Sequence, residues 1–169
     1  MLYKNQNALQ SDQACLKALH ELRRWHRSTE SWDSINRYIN EYAVILCSGA
    51  LERSFKSIVA DFVSEGCSSE VCQYLDESIR KCSVNPRIEE IKKILKKFNS
   101  SWKNAFGEEV KKLPPRCSES LKSLVEDRNH VAHGVTIASS FSDIVGYYCQ
   151  ARRVVSKLED ILPVVNPQE

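Results

Sequence analysis

Apolar side chains recur at helical spacing along almost the whole chain. From about Ala8 to Arg27 they fall at Leu9, Leu16, Leu19, Leu22 and Trp25, the stripe of an amphipathic helix. A second, longer helix can be capped by Ser31 or Asp33. Its stripe reads Ile35, Tyr38, Tyr42, Ile45, Gly49, Phe55, Val59 and Phe62, and Gly66 ends it. Ser68 or Ser69 opens a shorter helix holding Val71, Leu75 and Ile79. Asn85-Pro86 starts a basic helix with Ile88, Ile91, Leu95 and Phe98 inside. Trp102, Phe106, Val110 and Leu113 follow in a less regular segment closed by Pro114-Pro115. Ser118 or Ser120 then opens a helix that stops at Gly134. Ser140 or Ser142 caps the last, with Ile144, Tyr148, Ala151, Val155, Leu158 and Leu162 inward and Pro163 and Pro167 at its end. There is no internal repeat, low-complexity tract or clear strand. The pattern predicts an all-α fold, a compact bundle of about five to seven helices in one domain spanning residues 1–169.

Composition narrows the class. With 169 residues, 42% of them hydrophobic and 27% charged, the chain has enough apolar matter for one core. No apolar run approaches the ~20 residues of a membrane span, and Met1 to Gln10 lacks the charged-then-apolar order of a signal peptide. The expectation is a cytoplasmic protein without membrane contact. Seven scattered cysteines, with no C-x-x-C pair, read as free thiols, and zinc is not expected. The net charge of +2 hides an asymmetry: from Arg80 to Arg116 there are eleven Lys/Arg against four Asp/Glu. A smaller basic group, Arg23, Arg24, His26 and Arg27, ends the first helix. Lysine runs often only solvate a helix face, but such an excess also suits a phosphate backbone.

The chemistry concentrates where one helix breaks its own pattern. Projected at ~100° per residue, Leu121, Leu124, Val125 and Ala132 share a face, and Arg128 falls in its middle. An arginine cannot shed its proton, so there it needs a carboxylate, a phosphate or water. The long inner helix shows the matching anomaly, Glu52 in a stripe position one turn after Gly49. An inward pair of Glu52 with Arg128 is the expectation. The two histidines of the arginine helix separate. His130 points away from the apolar face, whereas His133 stands at the helix end beside Gly134. Imidazole is the side chain that ordinarily changes charge near neutral pH, and so the usual proton carrier. Arg128 and His133 lie ~140° apart in projection. Either the helix unwinds before His133 or a second subunit completes the site.

Arg128-Asn129-His130-Val131-Ala132-His133 resembles the R-x4-H signature of the HEPN superfamily, with the preferred polar residue after the arginine and a glycine after the histidine. Among its branches the chain looks most like the RiboL-PSP type, and Glu52 looks like the acidic position of that family's inner helix. The resemblance implies a metal-independent endoribonuclease without cofactor, in which a 2′-hydroxyl of single-stranded RNA attacks the adjacent phosphate. It implies Arg128, His133 and Asn129 as catalytic residues and Glu52 in support. Lys92, Lys93, Lys96, Lys97 and Arg116 would follow the RNA backbone. It further implies a homodimer and a toxin or phage-defence role, with a neutralising antitoxin or defence-system partner. One departure stands out. Toxin-type members often carry a tyrosine two residues after the histidine, where this chain has Val135. Two other readings remain: a HEPN module without catalysis that only mediates interaction, and an unrelated helical adaptor binding protein through Trp25, Trp32 and Trp102.

Overall fold

The computed structural model describes residues 2–28 and 33–162. Among them there are helices and no strand. The elements are α1 (Gln6–Ser28), α2 (Asp33–Ser64), α3 (Ser69–Leu75), a π-helical turn (Asp76–Arg80), α4 (Ile88–Phe98), α5 (Ser100–Lys111), α6 (Pro115–Ala132), α7 (Phe141–Ser156) and a last turn, α8 (Leu158–Ile161). Seven helices and a terminal turn meet the expected all-α bundle. Ser31, Trp32, Pro163 and Pro167 lie outside the described residues, and with them the expected Ser31 cap and the proline stop.

α2 is the axis of the bundle, packed by α1, α6 and α7 along its length and by α3, the π-turn and α8 near its end. From Ser54 to Ala60 every residue but Ser57 is buried, the polar Ser54 and Lys56 included, because neighbouring elements close around that stretch of α2. The N-terminal half buries Ile39, Ala43, Val44, Cys47, Ala50 and Leu51 and leaves Tyr38, Tyr42 and Ile45 in solvent. This corrects the expected inner stripe, which is buried at Phe55 and Val59 but not at those three. Apolar residues fall on more than one side of α2, so periodicity alone could not choose between them.

Other helices bury the expected side chains with local exceptions. α1 turns Ala8, Cys15 and Leu19 inward and leaves Trp25 at its exposed end. The same stripe buries Asp12, which accepts from the Tyr148 hydroxyl at 2.9 Å and pairs with Arg152 at 2.9 Å. The Glu159 carboxylate takes the backbone N–H groups of Lys4 and Asn5 at 2.8 and 2.7 Å, anchoring the start of α1. α5 is a regular helix capped by Asn99, whose side chain accepts from the Ser101 N–H at 2.7 Å, and it buries Trp102, Phe106 and Val110. Phe98, expected inside α4, is exposed. α6 begins at Pro115, three residues before Ser118. The proline pair closes α5 and also starts α6, since proline suits the first helical position, where no N–H is needed. α7 opens with a capping box in which Ser140 accepts from the Asp143 N–H and Asp143 from the Ser140 N–H.

Candidate active site at the end of α6

α6 carries Arg128, Asn129, His130 and His133 through its last turn. Its apolar face docks Leu121, Leu124 and Val125 into the core, mainly against α7 and α2. Ala132, expected on that face, is exposed, because the helix leaves the core in its final turn. The end is a Schellman motif. The Gly134 N–H donates to the Val131 carbonyl at 3.0 Å, and the Val135 N–H to the His130 carbonyl at 2.8 Å. Gly134 has φ +72°, the left-handed conformation in which a Cβ is strained. His133 is the cap residue, with φ −100° and ψ 11°, and its N–H still bonds to the Asn129 carbonyl at 3.1 Å. The helix therefore does not unwind ahead of His133, and the wide angle between Arg128 and His133 remains within one chain.

Arg128 is half-buried and has no hydrogen bond or ion pair among the described residues. A half-exposed guanidinium with no partner in the chain has its donors open to water or to an incoming anion. The imidazole of His133 is exposed, as is that of His130. Asn129 is half-buried between them in projection, ~100° from Arg128 and ~40° from His133. Its Oδ1 accepts from Asn85 Nδ2 at 3.2 Å. The loop after Gly134 is held back onto α6 by the Ser139 hydroxyl, which donates to Asp127 at 2.6 Å.

The RiboL-PSP-HEPN family profile matches residues 7–163 of this chain. The chain belongs to the RiboL-PSP-HEPN family. No curated protein and no solved structure matches it. As a HEPN-type module it falls in a class that includes ribonucleases and whose members often bind RNA and dimerise.

In this HEPN domain the expected Glu52–Arg128 pair is absent. Glu52 accepts from Lys56 Nζ, one turn along α2, and from the Val84 N–H at 3.3 Å. Lys56 is buried, and it also donates to the carbonyls of Cys82 and Arg80. The physical reason is proximity on one helix. A lysine four residues after a glutamate reaches it without help from the fold. Glu52, Arg53 and Lys56 line a groove of about 800 Å³ between α1, α2 and residues 80–83, and Arg128 and His133 do not line it.

The expected RNA-binding residues are spread out. Lys92 pairs with Glu89 at 3.0 Å and Lys93 with Glu90 at 2.7 Å. Lys96, Lys97 and Arg116 are exposed and without a partner among the described residues. Arg116 is the second residue of α6, ~18 Å along the helix axis from Arg128 at ~1.5 Å per residue. Sequence reading missed Asn85, Lys56 and the exposed Arg87. The one signal for Asn85 was its proline neighbour, which forces an extended backbone and so keeps it out of α4. Among the described residues no three His, Cys, Asp or Glu side chains gather as a metal-holding group, and no helix is long and apolar enough to cross a membrane.

Proposed function

We propose that this HEPN domain is a metal-independent endoribonuclease acting on single-stranded RNA as a homodimer. The observation that carries this reading is the half-buried, unpaired guanidinium of Arg128, one residue from Asn129 and one and a half turns from an exposed His133. Arg128 holds the scissile phosphate and offsets the charge that grows on its oxygens. The 2′-hydroxyl oxygen bonds to phosphorus as the bond from phosphorus to the 5′-oxygen breaks. The products are a 2′,3′-cyclic phosphate and a 5′-hydroxyl. His133 moves a proton from the attacking oxygen or to the leaving one, and Asn129 adds hydrogen bonds to the phosphate. The unpaired Lys96, Lys97 and Arg116, together with Lys92 and Lys93, add positive charge that attracts the RNA backbone to the protein. Such an activity suits a toxin or defence effector held in check by a neutralising partner.

Incubating the purified protein with end-labelled single-stranded RNA in excess EDTA tests the reading. Cleavage leaving cyclic-phosphate ends is expected. His133→Ala should slow it by about 10²–10⁴-fold, the usual share of general acid–base catalysis. Arg128→Ala should be comparably damaging, while the outward His130→Ala should matter much less. A deoxyribose at the cut site should stop the reaction. Equal cleavage of DNA, loss of cleavage in EDTA, or an inactive His130→Ala beside an active His133→Ala would sink the mechanism.

A further inference from the structure

We infer that Asn85 is a positioning residue for the active site, fixing the Asn129 carboxamide so that its N–H donors face the phosphate held by Arg128. The inference rests on the ribonuclease reading of that site. A carboxamide has one accepting and one donating end, and a phosphate oxygen can only accept. Turned one way, Asn129 binds the phosphate; turned the other, its Oδ1 repels it. Asn85 Nδ2 donates to Asn129 Oδ1 at 3.2 Å, which engages the accepting end and leaves both N–H groups of Asn129 for another partner. Neither carboxamide has a second side-chain hydrogen bond among the described residues.

Asn85 can act in this way because its segment is fixed. Lys56 Nζ donates to the carbonyls of Arg80 and Cys82, and Glu52 accepts from the Val84 N–H at 3.3 Å. Asn85 is the next residue. Pro86, itself buried, holds Asn85 extended, and the Arg87 N–H donates to the Asn85 carbonyl at 2.8 Å to close the turn into α4. A continuous line of contacts thus runs from Glu52 and Lys56 on α2, through residues 80–85, to the residue beside Arg128. Glu52 supports the site through this line and not by pairing with Arg128.

Single-turnover cleavage of single-stranded RNA by the full chain, with its dependence on RNA concentration, tests the assignment. Asn85→Ala should lower kcat by about tenfold, the scale of one hydrogen bond that matters in the transition state, and leave KM within about twofold. In an Asn129→Ala background the same substitution should cost nothing further. Asn85→Asp keeps the size but can only accept, so it should lose at least as much kcat, again only while Asn129 is present. Additive losses, or an Asn85→Ala chain as fast as a wild type that Asn129→Ala impairs, would overturn the inference. If the wild type does not cleave RNA, the ribonuclease reading fails by itself. The bond is then read without activity, from ¹⁵N relaxation of the Asn129 side-chain NH2 group. That group should be ordered in the wild type and mobile in Asn85→Ala, and equal order in both would overturn the positioning role.

Discussion

Lys56 illustrates how a buried charge is tolerated. Its side chain is 7% exposed and that of Glu52 22%, and each of its N–H donors meets an oxygen, from Glu52, Cys82 or Arg80. Removing Glu52 leaves an ammonium facing two carbonyl dipoles and no countercharge. Glu52→Ala should therefore lose stability near the lower end of the ~3–5 kcal/mol for a buried pair broken on one side, since Glu52 is partly solvated. Lys56→Met in the same chain should recover part of it, giving a coupling above about 1 kcal/mol in a denaturation double-mutant cycle. Glu52→Ala and Arg128→Ala should add within about 0.5 kcal/mol, and strong coupling between them would restore the ion pair that the structure does not show. In the sequence Glu52 looks out of place because its row on α2 fits a core stripe. That row is solvent-facing at Tyr38, Tyr42 and Ile45, and the lysine four residues on is the nearer partner. Two inward-looking charges suggested a pair, whereas the shorter reach along one helix decides the contact.

Helix ends were readable where glycine or serine chemistry fixes them and unreadable where proline serves two elements. Gly134 and Ser140 marked their termini correctly, while Pro115 starts α6 and made the serines after it look like caps. The left-handed Gly134 leads to a prediction about α6. Gly134→Ala places a Cβ at φ +72° and should cost about 1–2 kcal/mol, read as a lower urea midpoint. Faster amide exchange at Gly134 and Val135, whose N–H groups close the motif, should accompany it; an unchanged midpoint would show that the chain finds another exit from α6. The corner joining α1, α2 and the π-turn should respond to acid. Burial alone would raise the Asp61 carboxyl, but hydrogen bonds from Arg80, Asn5 and Asn7 outweigh it and hold it below the usual carboxylate range. Unfolded, that carboxyl takes up a proton near pH ~3.9, before the folded one does. Its stabilisation is therefore full above that pH and fades as pH falls towards the folded value. Between neutrality and pH ~3 the wild type should lose more unfolding free energy than Asp61→Asn. Parallel losses in the two proteins would remove Asp61 as an acid-sensitive contact.

The bundle as a whole presents an apolar surface that stays exposed among the described residues. Trp25, Tyr38, Tyr42 and Ile45 are 69%, 59%, 56% and 42% exposed, and all but Ile45 line an apolar groove of about 510 Å³ where α1 meets the start of α2. Trp102, by contrast, is buried against Phe62, which removes it from any protein-binding surface of aromatics. Aromatic side chains bury about 150–250 Å² each, so three that are more than half exposed supply a substantial part of the ~800 Å² per partner typical of a stable interface. Tyr38, Tyr42, Ile45 and Gly49 lie on the same side of α2 as Glu52, within ~80° of it in projection, and Glu52 leads by way of residues 84 and 85 to Asn129. The sequence could not show this row as surface, because the same residues also fit a core stripe, and only the packing of α1, α6 and α7 decides which side of α2 is covered. In the ribonuclease reading proposed above, the angle between Arg128 and His133 would give a second copy a functional reason, since α6 stays helical to its cap. If the two residues serve one phosphate across a two-fold axis, chains that are dead for different reasons should complement. Arg128→Ala and His133→Ala proteins, each inactive alone, are mixed, allowed to exchange and assayed on single-stranded RNA. With half the dimers mixed and one of two composite sites intact in each, about a quarter of wild-type activity should return. Tyr42→Ser, which leaves every active-site residue in place, should weaken both the dimer seen by light scattering and this rescue. A mixture that stays inactive although the mixed dimer forms would place Arg128 and His133 of each site within one chain, and a monomer mass across the micromolar range would remove the shared site altogether.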